Sequence, residues 1–77
     1  MNNLTPISFT LNAVEHLKEV AKHATGRDLT DQQVTAYFNE INYWQPDGSA
    51  HIEFGSHETL DGNPKIADFD ADDFIYA

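Results

Sequence analysis

The sequence predicts an α+β domain in which two N-terminal helices pack on a small antiparallel sheet of about three strands. Three observations carry this expectation. Apolar residues recur at helical spacing through residues 13–41, they alternate with polar ones over residues 50–54 and 65–71, and turn-forming Gly and Pro clusters separate these stretches. At 77 residues the chain is expected to be one domain, 1–77, with one small core. A core of that size leaves stability modest, so a partner or a second copy is a plausible source of further burial.

The elements follow in order. Ile7, Phe9 and Leu11 alternate with Ser8 and Thr10 after Pro6, the pattern of a short half-buried strand. Asn12 is then expected to cap a first helix, paired with Glu15 in a capping box. Ala13, Leu17, Val20 and Ala24 form its apolar face, and Gly26 supplies the left-handed residue that ends it. On the opposite face Glu15 and Glu19 stand three residues before Lys18 and Lys22, a spacing that predicts two ion pairs. His16 and His23 are read as solvated residues of that face.

A second helix is announced by Thr30 and Gln33, another capping box, with Leu29 placed to staple onto Val34. Val34, Tyr37, Phe38 and Ile41 continue its stripe. Two helices joined by so short a link suggest a DNA-reading helix-turn-helix, but the second helix offers Asp31 and Glu40 where lysine or arginine would have to meet phosphate. Pro46-Asp47-Gly48 then reads as a turn, Ala50, Ile52 and Phe54 as one dry strand face, and Gly55-Ser56 and Asp61-Gly62-Asn63-Pro64 as breaks. Ala67, Phe69 and Ala71 predict a further strand over 65–71, and Phe74-Ile75-Tyr76-Ala77 is apolar enough to dock on the core.

Charge is the most informative functional feature. Thirteen acids against four bases give −9. Residues 1–45 carry three cations against five acids, whereas residues 46–77 carry Lys65 alone against eight. Such a field repels nucleic acid and anionic membrane and steers a basic surface toward the protein. Residues 1–6 have neither the positive charge nor the apolar run of a signal peptide, and the absence of cysteine removes disulfides and thiolate zinc sites, so a cytoplasmic location is expected.

Catalytic signatures are missing. No HExxH motif occurs around His57, because Asp61 stands where the second histidine belongs; Ser49 and Ser56 lie outside any nucleophile elbow; and no glycine loop could cradle phosphate. Asp68, Asp70 and Asp72 resemble the start of an EF-hand loop, but Asp73 replaces its glycine and the chain ends before its last ligand. No enzyme activity and no cofactor are therefore expected. A metal-binding module built on those aspartates with His51 or His57 is the minor alternative.

If residues 68–72 are extended, Asp68, Asp70 and Asp72 point one way at spacings of ~6.6 Å, about half the density of phosphates along a DNA strand. With Asp73 and with Glu53, Glu58 or Asp61 they make an acidic surface suited to a basic partner; a solvated strand face is the other reading. Tyr43 and Trp44, beside a turn, either complete the core or stand out as hydrophobic anchors. The expected partner-binding set is thus Glu53, Glu58, Asp61, Asp68, Asp70, Asp72, Asp73, Tyr43 and Trp44.

In size, charge and lack of a catalytic motif the whole chain resembles the small acidic inhibitors encoded by bacteriophages and mobile elements, notably anti-CRISPR and other DNA-mimic proteins. The resemblance implies a non-enzymatic inhibitor that occupies the positively charged channel of a nucleic-acid-binding complex and binds no nucleic acid itself. An acidic immunity protein or antitoxin that caps a basic toxin shares the same composition.

Overall fold

A computed structural model describes residues 5–41 and 44–77. The chain runs β1 (Pro6–Phe9), α1 (Leu11–Thr25), α2 (Asp31–Asn39), β2 (Ala50–Phe54), β3 (Lys65–Phe69), a single 3-10 turn (Ala71–Asp73) and β4 (Phe74–Tyr76). It is α+β with antiparallel pairing, as expected. The strands, however, form two separate two-stranded sheets, β1–β4 and β2–β3.

The correction follows from the C-terminus. Phe74-Ile75-Tyr76 pairs with the N-terminal strand, Phe9 opposite Phe74 and Ser8 opposite Ile75, and the register shifts between Pro6 and Ser8. The amide of Thr10 donates to the Asp73 carbonyl at 2.9 Å and that of Ala77 to the Thr5 carbonyl at 3.0 Å, closing both ends of the ladder. The β2–β3 hairpin pairs in regular register, from Ala50 opposite Phe69 to Phe54 opposite Lys65. Its inner face buries Ala50, Ile52, Phe54, Ala67 and Phe69, while His51, Glu53, Ile66 and Asp68 face outward.

α1 is the spine, touching α2, β1, β2 and β3. Ala13, Leu17, Ala21 and Ala24 are buried along it, spaced three or four apart so that small side chains let both sheets approach closely. Its cap is Thr10 and not Asn12: Thr10 is extended, and its hydroxyl accepts from the Ala13 amide at 3.2 Å. Leu11 accordingly becomes the first helical residue and turns outward, 84% exposed, leaving Phe9 as the buried anchor of β1. At the other end Gly26 is left-handed, φ 76°, and donates to the Lys22 carbonyl. A β-carbon there would lie 3.3 Å from Leu60, whose own amide reaches back to the Ala24 carbonyl at 2.8 Å.

The second capping box is present in full. Thr30 accepts from the Gln33 amide at 3.1 Å and Gln33 accepts from the Thr30 amide at 2.9 Å, with Leu29 and Val34 both buried. The two sheets are joined by an aromatic cluster drawn from five parts of the chain. Phe9 lies 4.9 Å from Phe69 and 5.6 Å from Phe74 between ring centroids, and Phe38 meets Phe9 edge-on at 5.2 Å. Trp44 packs on Phe74 at 4.8 Å, so this residue completes the core.

Candidate functional site

The third predicted strand is shorter than its alternation suggests, and this rearranges the acidic residues. Strand structure ends at Phe69; Asp70 is extended, and Ala71–Asp73 coil into a 3-10 turn. Asp73 turns back so that its carboxylate accepts from the Asp70 amide at 2.8 Å. The even row of carboxylates expected along residues 68–72 is therefore absent, because Asp72 belongs to the turn and not to the strand face.

Ion pairing decides which carboxylates are free. Lys18 bonds Asp31 at 2.8 Å and Lys22 reaches Asp28 at 3.4 Å, linking α1 to the start of α2 and to the segment before it. The predicted pairs with Glu15 and Glu19 do not form, since each lysine extends toward α2 instead. Arg27 approaches Glu58 at 3.8 Å, and Lys65 bonds Asp61 at 2.7 Å. The four cations thus engage one acid each. Nine of the thirteen carboxylates have no ion-pair partner among the described residues, and six of them lie in the C-terminal half: Asp47, Glu53, Asp68, Asp70, Asp72 and Asp73.

Two members of the predicted set are held by internal bonds. Glu58 accepts from the Gly55 amide at 3.1 Å and from the Tyr37 hydroxyl at 3.5 Å, tying the β2–β3 connection to α2. Burial, with Glu58 beside it, raises the pKa of Tyr37 and keeps that hydroxyl a donor. Asp61 accepts from Lys65 and from the Asn63 amide at 3.0 Å, and these bonds lower its pKa from 3.8 to about 2. Tyr43 lies outside the described residues.

What the fold brings together is a shallow cleft of about 360 Å³ between the 45–51 segment and the end of β3, lined by Asp47, His51, Asp68 and Asp70. His51 and Asp68 are direct cross-strand partners. In the sequence Asp47 belongs to the Pro46-Asp47-Gly48 turn and to the acidic excess of residues 46–77, and its place here follows from that turn lying against the end of the hairpin. The Gln45 amide donates to the Ser49 carbonyl and the Gly48 amide to the Gln45 carbonyl, both at 2.9 Å. Gly48 has φ 88°, and a β-carbon on it would lie 3.0 Å from the Ala71 β-carbon, so the close seating of this loop against the 3-10 turn requires glycine. The Asp47 carboxylate accepts from the Ser49 hydroxyl at 2.7 Å and its amide at 3.0 Å, which lowers its pKa and keeps it charged.

The cleft offers three carboxylates and an imidazole on an open surface. That arrangement can hold an ammonium or guanidinium group by charge-assisted hydrogen bonds. Among the described residues no group of three or more His, Asp or Glu side chains is placed to hold a metal ion, and no helix is long and apolar enough to cross a membrane. Comparison of the chain with protein-family models, with curated proteins and with solved structures gives no match.

Proposed function

We propose that this chain is a non-enzymatic acidic binding protein that inhibits a nucleic-acid-binding target by occupying its basic surface, in the manner of a DNA mimic. The observation that carries the reading is the set of six unpaired carboxylates in the C-terminal half, three of them around one cleft. Carboxylates already neutralised by lysine contribute little field at a distance, whereas unpaired ones steer and hold a cationic partner. Glu53, two residues after His51 on the same outward face of β2, and Asp72, two residues after Asp70, are both exposed and unpaired among the described residues.

The test begins with affinity capture of the partner and its identification. A nucleic-acid-processing complex is the expected catch; a small basic toxin makes the chain an antitoxin instead. The dissociation constant of the complex should weaken by more than tenfold between about 50 and 300 mM salt. Replacing Asp47, Asp68 and Asp70 by Asn should reduce both affinity and salt dependence. Replacing Asp28 and Asp31, whose charges Lys22 and Lys18 already offset, should change binding far less. A salt-independent complex, or equal effects from the two sets, refutes the proposal.

A further inference from the structure

His51 stands where two hollows of the surface meet. It lines the acidic cleft with Asp47, Asp68 and Asp70, and it also lines a smaller hollow of about 160 Å³ at the end of α2, with Tyr37, Glu40 and Glu53. The hairpin sets this position: β2 turns His51 and Glu53 outward, and its register places Asp68 directly across from His51. Five carboxylates therefore share the two hollows with one imidazole. Glu53 comes from the same strand, Asp68 and Asp70 from the end of β3, Asp47 from the turn before β2 and Glu40 from the end of α2. None of the five has an ion-pair partner among the described residues, and no lysine or arginine lines either hollow. Tyr37, the other titratable group there, keeps its proton because burial raises its pKa.

Histidine is the side chain whose charge ordinarily changes between about pH 8 and 5, whereas carboxylates keep theirs over most of that range and lysine and arginine over all of it. Among the groups lining the two hollows, His51 alone gains a charge on mild acidification. That charge is positive and arises beside the place a cationic ligand must occupy. Proton and ligand then compete: a bound ammonium or guanidinium disfavours the imidazolium, and by linkage the imidazolium weakens the ligand by the same factor. His51 is exposed and forms no ion pair among the described residues, so taking up the proton alters the field of the surface without breaking an ion pair of the fold.

We propose that His51 makes the acidic surface proton-regulated: the neutral ring leaves it open to a basic partner, and the protonated ring weakens that partner's hold severalfold. The proposal rests on the reading of the chain as an acidic binding protein and adds the group that sets its affinity with pH. The probe is hexalysine, acetylated and amidated so that its charge is constant over the range used. It is titrated into the full chain at about pH 7.5 and about pH 5.5 in about 0.1 M salt, where charges more than about 10 Å away are largely screened. Amide shifts at Asp47, His51, Asp68 and Asp70 report the binding. Affinity should fall about fivefold at the lower pH, the factor for one like charge about 4 Å away in water. His51→Gln changes an exposed side chain, should match the parent at the higher pH and should lose most of the pH dependence. His57→Gln removes an imidazole that lines neither hollow and should retain it. The ring protons of His51 should titrate at lower pH with the peptide bound than without it.

An affinity that does not change with pH in the parent overturns the proposal. So does an equal loss in the parent and in His51→Gln, which assigns the effect to other groups, or a His51 titration that the peptide leaves unmoved. Each of these leaves the acidic surface standing. Parent binding at about pH 7.5 that is indifferent to salt overturns the acidic reading, and the proposal with it.

Discussion

Phe74→Ala should come close to unfolding the protein. Phe74 is 4% exposed, and its ring lies 4.8 Å from Trp44, 5.6 Å from Phe9 and 6.1 Å from Phe69, so it touches both sheets and the segment after α2. Truncating a phenylalanine in such a position costs about 3 to 5 kcal/mol, the lost transfer energy plus the cavity left behind. At about 0.05 to 0.15 kcal/mol per residue, a chain of this length has about 4 to 12 kcal/mol in total. The melting temperature should fall by at least about 12 °C, taking about 4 °C per kcal/mol as the low end for a small domain. Thermal and urea unfolding followed by circular dichroism and by Trp44 fluorescence measure this, since Trp44 reports directly on the cluster. Ile75→Ala is the matched control, because Ile75 is 46% exposed on the outer face of the same strand and should cost below about 1 kcal/mol. Equal losses for the two variants, or a loss below about 1 kcal/mol for Phe74→Ala, would refute the view that the C-terminal strand is an integral part of the core.

Thr10→Ala should destabilise by about 1 kcal/mol through loss of the helix cap, whereas Asn12→Ala should leave the unfolding midpoint almost unchanged; the reverse order would restore Asn12 as the cap. Asp61 titrates in the folded protein at about 2, below its ordinary 3.8, so its contribution to stability is complete above pH 3.8 and disappears as pH falls through about 2. The comparison is with Asp61→Asn: the stability gap between parent and variant should close between pH 4 and 2. Carboxyl carbon shifts should give Asp61 a midpoint near 2, and a midpoint at or above 3.8 would show that the bonds to Lys65 and the Asn63 amide do not persist.

The pattern of ion pairs also changes how the acidity is understood. Sequence spacing suggests that the helix acids are neutralised by neighbours on the same helix and that Asp68, Asp70, Asp72 and Asp73 have no basic neighbour. In the fold the lysines of α1 reach across to Asp28 and Asp31, which leaves Glu15 and Glu19 unpaired, while Glu58 and Asp61 are internally bonded. The free charge still lies mostly in the C-terminal half, but it is carried by Asp47, Glu53, Asp68, Asp70, Asp72 and Asp73 and extends to α1 through Glu15 and Glu19.

The amino-acid sequence by itself determined what depends on near neighbours. The two helices, the Thr30–Gln33 capping box, the left-handed Gly26 and the alternation of Ala50 to Phe54 all rest on residues within one or two turns of each other, where spacing alone specifies geometry. Composition likewise set the sign and the excess of charge. Only the tertiary structure decided matters that hang on distant partners. The last strand pairs with the first, across almost the whole chain, and its bond from Thr10 to Asp73 moves the helix start to Thr10 and turns Leu11 outward. Residues Ala71–Asp73 coil, with Asp73 bonded back to the Asp70 amide, which alternation over residues 65–71 does not reveal. Asp47 joins Asp68 and Asp70 because the 45–49 turn folds over the end of the hairpin and Gly48 allows it to pack against Ala71. Long flexible lysines pair with whichever carboxylate the fold brings within reach, so helical spacing could not specify their partners.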